Sequence, residues 1–202
     1  EPLIRRSAGL GKPPKNFRSK RTHQYHNTYV VIIGAGLSGL AAAKKFINTK
    51  YKVLLIEQDS YLGGVPKNSN KVKTINGLTP QEWISETEEL ILNSKNITIL
   101  KNTLVTTYNF TNHLIALEDK FAGKKIDLNK SELTLHKIRT SNTIIANGHI
   151  ERFISFRNND LPGVMLASSF EKYIHRYGVV PEKEPVISVS YTHLTLPTSR
   201  SV

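Results

Sequence analysis

Tyr29-Val30-Val31-Ile32-Ile33-Gly34-Ala35-Gly36-Leu37-Ser38-Gly39-Leu40-Ala41-Ala42-Ala43 decides the fold of this chain. The β-branched run at its start is the type of strand that is buried on both faces in a parallel sheet. The three glycines follow at once, and Leu40 to Ile47 are mostly good helix formers with small residues on one side. Lys52-Val53-Leu54-Leu55-Ile56-Glu57 then reads as a second strand, 23 residues separating Gly34 from Glu57. A G-x-G-x-x-G loop alone is a weak signal, since small residues permit any tight strand–helix packing. Between two strands, opening a helix and followed at this distance by an acid, it has the context of a dinucleotide site. Gly34 is expected to make the tight turn, Gly36 to let the backbone approach a pyrophosphate, and Gly39 to let helix and strand close up. Ala35 and Ser38 complete the loop, whose helix start offers free N–H groups to phosphates. Glu57 is expected to accept the hydroxyls of an adenosine ribose and to repel a 2′-phosphate, which favours NAD or FAD over NADP.

Outward from this unit, Thr79-Pro80-Gln81-Glu82 forms a capping box with Pro at the first helical position. Trp83, Ile84, Thr87, Leu90 and Ile91 recur at helical spacing behind it, so one face is expected to pack inward. Residues 97–100 read as a third strand, 103–110, 113–118 and 133–139 as an antiparallel meander, and 143–146 as a returning buried strand. Leu166 to Tyr177 suits a helix stopped by Gly178. The expected class is α/β: a Rossmann-like dinucleotide-binding domain, parallel sheet with helices on both faces, with an inserted three-stranded meander and incomplete. Residues 1–28 read as a basic connector and 29–187 as the partial domain. Residues 188–202 lose Lys, Asn, Asp and Glu together and read as a non-native, adapter-like tail. The opening Glu1 to Arg6 reads as the interior of a longer protein.

Composition narrows the chemistry. Cysteine is absent from the 202 residues, so disulfides, thiolate metal sites and dithiol redox pairs are excluded. Redox chemistry would need an organic cofactor. No apolar run is long enough to span a membrane, and a cytoplasmic protein is the expectation. The net charge of +12 raises the question of nucleic acid. The basic residues are spread along the chain, however, and abundant Lys, Asn and Ile together fit A/T-rich coding, so no nucleic-acid partner is expected. His23 and His26 have metal-like spacing without a third ligand nearby in sequence, and a surface or interface role is expected rather than a metal. The other histidines look isolated, and no catalytic acid, base or nucleophile is legible. Gln58 and Asp59 are candidates for the same ribose as Glu57. Asn147-Gly148 ends a strand beside the first, where such sheets place ligands.

Longer matches carry a resemblance. Glu1 to Gly11, the glycine loop, Leu62-Gly63-Gly64, Thr103-Leu104-Val105, Ile144 to Arg152, Asn158-Asn159-Asp160-Leu161-Pro162-Gly163-Val164-Met165-Leu166-Ala167 and Tyr173 to Gly178 resemble the alpha subunit of heterotetrameric sarcosine oxidase. Amine and opine dehydrogenase large subunits share parts of this pattern. The resemblance implies NAD held non-covalently here, with FAD an alternative at the same site. It also implies FAD and FMN in a complex with beta, gamma and delta subunits, and tetrahydrofolate in a C-terminal region outside this chain. In that complex sarcosine is oxidatively demethylated to glycine with peroxide formation. The double glycine lies where two-dinucleotide flavoproteins close a loop over the cofactor. Carried over residue by residue, contacts fall on Ser38, Glu57 to Asp59, Gly64 and Val65, and Val105. This chain departs from the family at Asn147, where Thr is usual, at Phe153, where Pro is usual, and at Gln58-Asp59, where an acid and Arg are usual.

Overall fold

The computed structural model describes residues 20–64, 74–120 and 132–180. Within residues up to 149 the elements run β1 (Lys20–Ile33), α1 (Leu37–Lys44), β2 (Val53–Ile56), α2 (Pro80–Leu92), β3 (Ile97–Leu100), β4 (Thr103–Asn109), β5 (His113–Asp119) and β6 (Glu132–Ile145). They form one six-stranded sheet in the order β3-β2-β1-β6-β5-β4. β1 pairs in parallel with both β2 and β6, and β2 with β3, whereas β4, β5 and β6 pair antiparallel. This is the α/β architecture with a meander that the sequence implied.

Alternation along β1 and β2 supplies two cores. Val30, Ile32, Val53 and Leu55 face Leu40 and Ala43 of α1 and Trp83, Ile84 and Ile91 of α2. Val31, Leu54 and Ile56 face Leu114, Ala116 and Ile138 from the meander. A fully buried Leu or Ile contributes about 1.5–3 kcal/mol, so both clusters are substantial. Among the described residues α1 and α2 thus both cover one face of the parallel strands and the meander covers the other, where the sequence reading expected helices on both faces.

The sheet can fold over in this way because it changes face midway. Ile138 and Ile144 of β6 lie an even number of residues apart, yet they belong to opposite cores. The β1–β6 pairing skips Tyr29 and Ser141 at this point. Threonine hydroxyls take up the disturbed backbone groups: Thr28 Oγ1 donates to the carbonyls of Lys52 (2.6 Å) and Val30 (3.1 Å). Thr140 Oγ1 likewise donates to Asn142 O at 2.8 Å and Tyr29 O at 3.2 Å.

Three elements differ from the sequence reading by more than a residue at an end. β1 starts at Lys20, nine residues before the apolar run, because residues 20–28 pair with β6. β6 is one strand where two were expected, since it crosses Thr140–Asn142 without leaving the ladder. Leu90 is 39 % exposed, so the buried face of α2 is Pro80, Trp83, Ile84, Thr87 and Ile91. The capping box forms as expected: Glu82 N donates to Thr79 Oγ1, and Glu82 Oε2 accepts from Thr79 N at 2.9 Å.

Residues 150–180 form a separate unit. It carries α3 (Ala167–Tyr177), closed by Gly178 in the left-handed region at φ 65°. Glu151 accepts the Ser168 N–H at 2.7 Å and so serves the first turn. No residue of α3 is buried.

Candidate dinucleotide site

At the carboxyl end of β1 the chain turns through Gly34, whose φ is +94°. A Cβ there would lie 2.8 Å from the carbonyl carbon of Ala146 and closer still to its oxygen. The adjoining end of β6 therefore passes directly against this turn, and Ala146 N donates to Ile33 O at 2.8 Å. Gly39 is equally constrained: a methyl group would sit 2.9 Å from the carbonyl carbon of Gly34 and collide with its oxygen. Absence of a side chain at these two positions lets α1 approach the strand.

Gly36 is different. Its φ of −70° and ψ of −172° are open to any residue, and a Cβ would meet nothing within 4 Å. Neither strain nor packing requires glycine here, so the free space over the backbone is the feature to be explained. Gly36 is also the N-cap of α1, where no side chain caps the helix and no acid lies in the first turn. The first intrahelical bond, Leu40 N to Gly36 O, is 2.9 Å. The N–H groups ahead of it, with the positive end of the helix dipole, face the exposed side at Ser38.

Glu57 leaves β2 beside this loop and is 8 % exposed. Its Oε2 accepts the Ala35 N–H at 2.7 Å and its Oε1 the Asp59 N–H at 2.9 Å. A carboxylate has about four acceptor positions, so two remain for hydroxyl donors. The main chain of Glu57 is fixed as firmly: its N–H donates to Leu100 O and its carbonyl accepts from Thr103 N, both at 2.8 Å. Asn102, at φ 52°, donates its N–H to Asp59 O at 3.1 Å. The β3–β4 turn thus pins residues 57–59.

Gly63 and Gly64 come back to the glycine loop. Gly63 N donates to Ala35 O at 2.8 Å, and a Cβ on Gly64 would lie 3.0 Å from Gly36 Cα. Both have positive φ, and Gly63 packs on Ile84 of α2. The structure thus brings Gly34, Ala35, Gly36, Gly39, Glu57, Asp59, Gly63 and Gly64 together. Ser38 and Gln58 are exposed at its edge. Asn147 and Gly148 follow Ala146 and are exposed. Val105 is half-buried in β4 and packs with Ile33 and Leu100 on the second core. Val65 lies outside the described residues, as do residues 1–19 and the tail from 188. Ala35 is fully buried with its N–H committed to Glu57, so its part here is to hold the carboxylate. Asn102 and Thr103, which hold it from the other side, were missed; an Asn ahead of a strand is the one trace they leave in sequence.

Away from the loop, His136 is fully buried in β6 and bonded to His26 and Glu118. His26 is consequently half-buried against β6, and His136 is not isolated. Among the described residues no group of three His, Cys, Asp or Glu is disposed to hold a metal ion. No helix among them is long and apolar enough to cross a membrane.

Residues 32–76 match the model of the NAD(P)-binding Rossmann-like domain. The chain is 31 % identical over 195 residues to the sarcosine oxidase alpha subunit of Rhizobium meliloti (strain 1021), covering 93 % of this chain and 19 % of that protein. It is 30 % identical over 179 residues to the subunit of the same name from Corynebacterium sp. (strain U-96), covering 85 % and 18 %. Among solved structures, L-proline dehydrogenase from P. horikoshii superposes with a TM-score of 0.57 at 20 % identity, over 80 % of this chain and 30 % of that one; that likeness shows the fold. The chain spans about a fifth of the length of the curated relatives it matches. The resemblance read from the residues is therefore borne out: a Rossmann-like NAD(P)-binding unit set in a chain similar, over most of its length, to part of the sarcosine oxidase alpha subunit.

Proposed function

We propose that this chain is the dinucleotide-binding part of a sarcosine oxidase-type alpha subunit. The single observation that carries the reading is the open space over Gly36. It lies at an uncapped helix start, beside a buried carboxylate with two acceptor positions to spare. A diphosphate over the first turn of α1 would receive N–H groups from residues 36 to 39. The ribose would donate to Glu57, with Gln58 and Asp59 at the same ribose, Val105 toward the adenine and Ser38, Gly64, Asn147 and Gly148 around the phosphates; Val65 is a further contact that the resemblance implies. Such a cofactor, when bound, supplies the redox chemistry that a chain without cysteine does not. The family reading gives NAD at this loop and FAD as the alternative.

On this reading the parent complex includes beta, gamma and delta subunits, FAD, FMN and a folate-binding region, and it oxidises sarcosine at the CH–NH bond. A related amine or opine dehydrogenase large subunit is the nearest variant. Purified parent complex tests it: sarcosine-dependent peroxide formation is expected, with one dinucleotide released on heat denaturation and identified by chromatography. A complex that forms no peroxide with sarcosine would remove the substrate assignment, and one that releases no dinucleotide would remove the site.

A second reading, an assembly subunit whose nucleotide is structural, is favoured by one feature. Residues 150–180 expose Ile150, Phe153, Ile154, Phe156, Tyr173 and Tyr177, more apolar surface than an isolated unit of that size should leave in water. A bound nucleotide that stays redox-silent during turnover would support it over the first.

A further inference from the structure

The second feature of the sheet that calls for a function is the row of polar side chains on the inner side of the β1–β6 pair. His26 Nε2 and His136 Nδ1 are 2.8 Å apart, and His136 Nε2 lies 3.0 Å from Glu118 Oε2. His136 is fully buried and Glu118 is 22 % exposed. We propose that Glu118, His136 and His26 form a one-proton clasp that holds residues 22–28 of β1 on β6 and opens when the two imidazoles take up a second proton.

The bonding pattern fixes the proton arrangement. An ionised carboxylate only accepts, so His136 Nε2 carries a hydrogen toward Glu118. With both rings neutral, His136 Nδ1 is then an acceptor and His26 Nε2 donates to it. One added proton, shared by the pair, still leaves a donor and an acceptor across the short N···N bond, which stays intact. A second leaves two N–H groups and two positive charges facing each other at 2.8 Å, and the bond is lost. His26 is held below its ordinary value of 6.5, first by burial and then by the charge of His136. The neutral ring's contribution is therefore complete above about 6.5, where the unfolded chain titrates. It is lost as pH falls through the lower folded value.

Among the described side chains the inner side adds no competing charge. From β1 the inner side receives Thr22 and Thr28, and from β6 Thr134, Ile138 and Thr140; Thr22 and Thr134 bond to each other at 2.8 Å. β5 contributes Ala116 and Glu118, and β4 pairs behind them through Thr103 and Val105. The nearby cations point elsewhere: Lys137 Nζ lies over the exposed Tyr25 ring at 5.4 Å, and Arg139 donates to His113 at 2.9 Å. The effect is confined to one segment because β2 pairs with β1 only over Val30–Ile33. Below Tyr29, β6 is the one strand that β1 pairs with among the described residues, so loss of the clasp frees an edge. His26 lies about 26 Å along the strand from Gly34 at 3.3 Å per residue, so this switch does not touch the nucleotide loop.

Hydrogen–deuterium exchange of the full chain tests the clasp, with peptides covering 22–28 and 53–57 and rates corrected for intrinsic pH dependence. Protection over 22–28 should fall about tenfold between pH 7.5 and about 5.5, while 53–57 stays unchanged. His26→Gln keeps a donor toward His136 and cannot be protonated, so its 22–28 segment should show no such step. No step in the wild type, a step of equal size in His26→Gln, or a step shared by 53–57 would each overturn the proposal. Side-chain nitrogen NMR checks it without any variant. At pH about 7.5 His26 should carry hydrogen on Nε2 and His136 should lack it on Nδ1; the reverse pattern overturns the assignment.

Discussion

Replacing Gly36 separates binding from folding more cleanly than any other change at the loop. Its backbone angles suit a residue with a side chain, and a methyl group would meet nothing within 4 Å. Gly36→Ala should leave the ligand-free chain within about 1 kcal/mol of the wild type, because the lower entropy of the unfolded state is offset by the loss of a favoured glycine at the N-cap of α1. For a domain of this size that is a change in Tm of no more than about 4 °C. The same methyl occupies the place assigned to the diphosphate. Its displacement should cost at least about 1.4 kcal/mol, a tenfold rise in Kd, and the branched side chain of Gly36→Val should abolish retention. Gly39→Ala is the destabilising control. Its methyl would sit 2.9 Å from the Gly34 carbonyl carbon and press on the oxygen beside it. The helix start must shift, costing about 1–3 kcal/mol. Thermal unfolding of ligand-free protein and calorimetric titration of NAD and FAD measure the two quantities separately. Unchanged dinucleotide affinity in a well-folded Gly36→Val would refute the placement of phosphate over this turn.

Glu57→Ala should weaken NAD binding or lessen discrimination against NADP. It should also cost about 2–4 kcal/mol of stability, because the Ala35 and Asp59 N–H groups lose their acceptor; titration and urea unfolding check the two effects. Thr79→Ala should cost about 1 kcal/mol by removing the cap of α2, read as a lower midpoint in urea. Glu82 is held below its usual carboxylate value by the Thr79 backbone N–H and then by the Thr79 hydroxyl. Its share of the capping box is therefore present above the ordinary carboxylate range and lost as pH falls through the lowered value, a loss that Glu82→Gln should not show in pH-dependent unfolding.

The unit from Tyr29 to Glu57 was legible because its apolar runs are short, uninterrupted and bounded by glycines, two of which, Gly34 and Gly39, meet a geometric need. Lys20–Thr28 hid in a basic stretch because the side chains that turn inward there are Thr22, His26 and Thr28, so polarity masks the alternation that marks a strand. β6 read as two strands because Ser141 and Asn142 are turn-prone, and the threonine bonds that carry the ladder past them have no sequence signature. Glu118, His136 and His26 are too far apart in the chain to be associated without the sheet. Leu90 fits the helical period but falls at its margin, where a small change of packing angle decides exposure.

The pairing at the middle of the sheet joins residues 112 apart, as Thr22 and Thr134 show, whereas the outer strands pair with close neighbours. Closing so long a loop is slow. During synthesis β1 must wait for more than a hundred further residues before its second neighbour exists, with Val30 to Ile33 covered on one edge only. The segment that carries the glycine loop is made early and completed late. Crowding or delayed translation before Glu132 should therefore cost yield of folded protein more than activity per folded molecule.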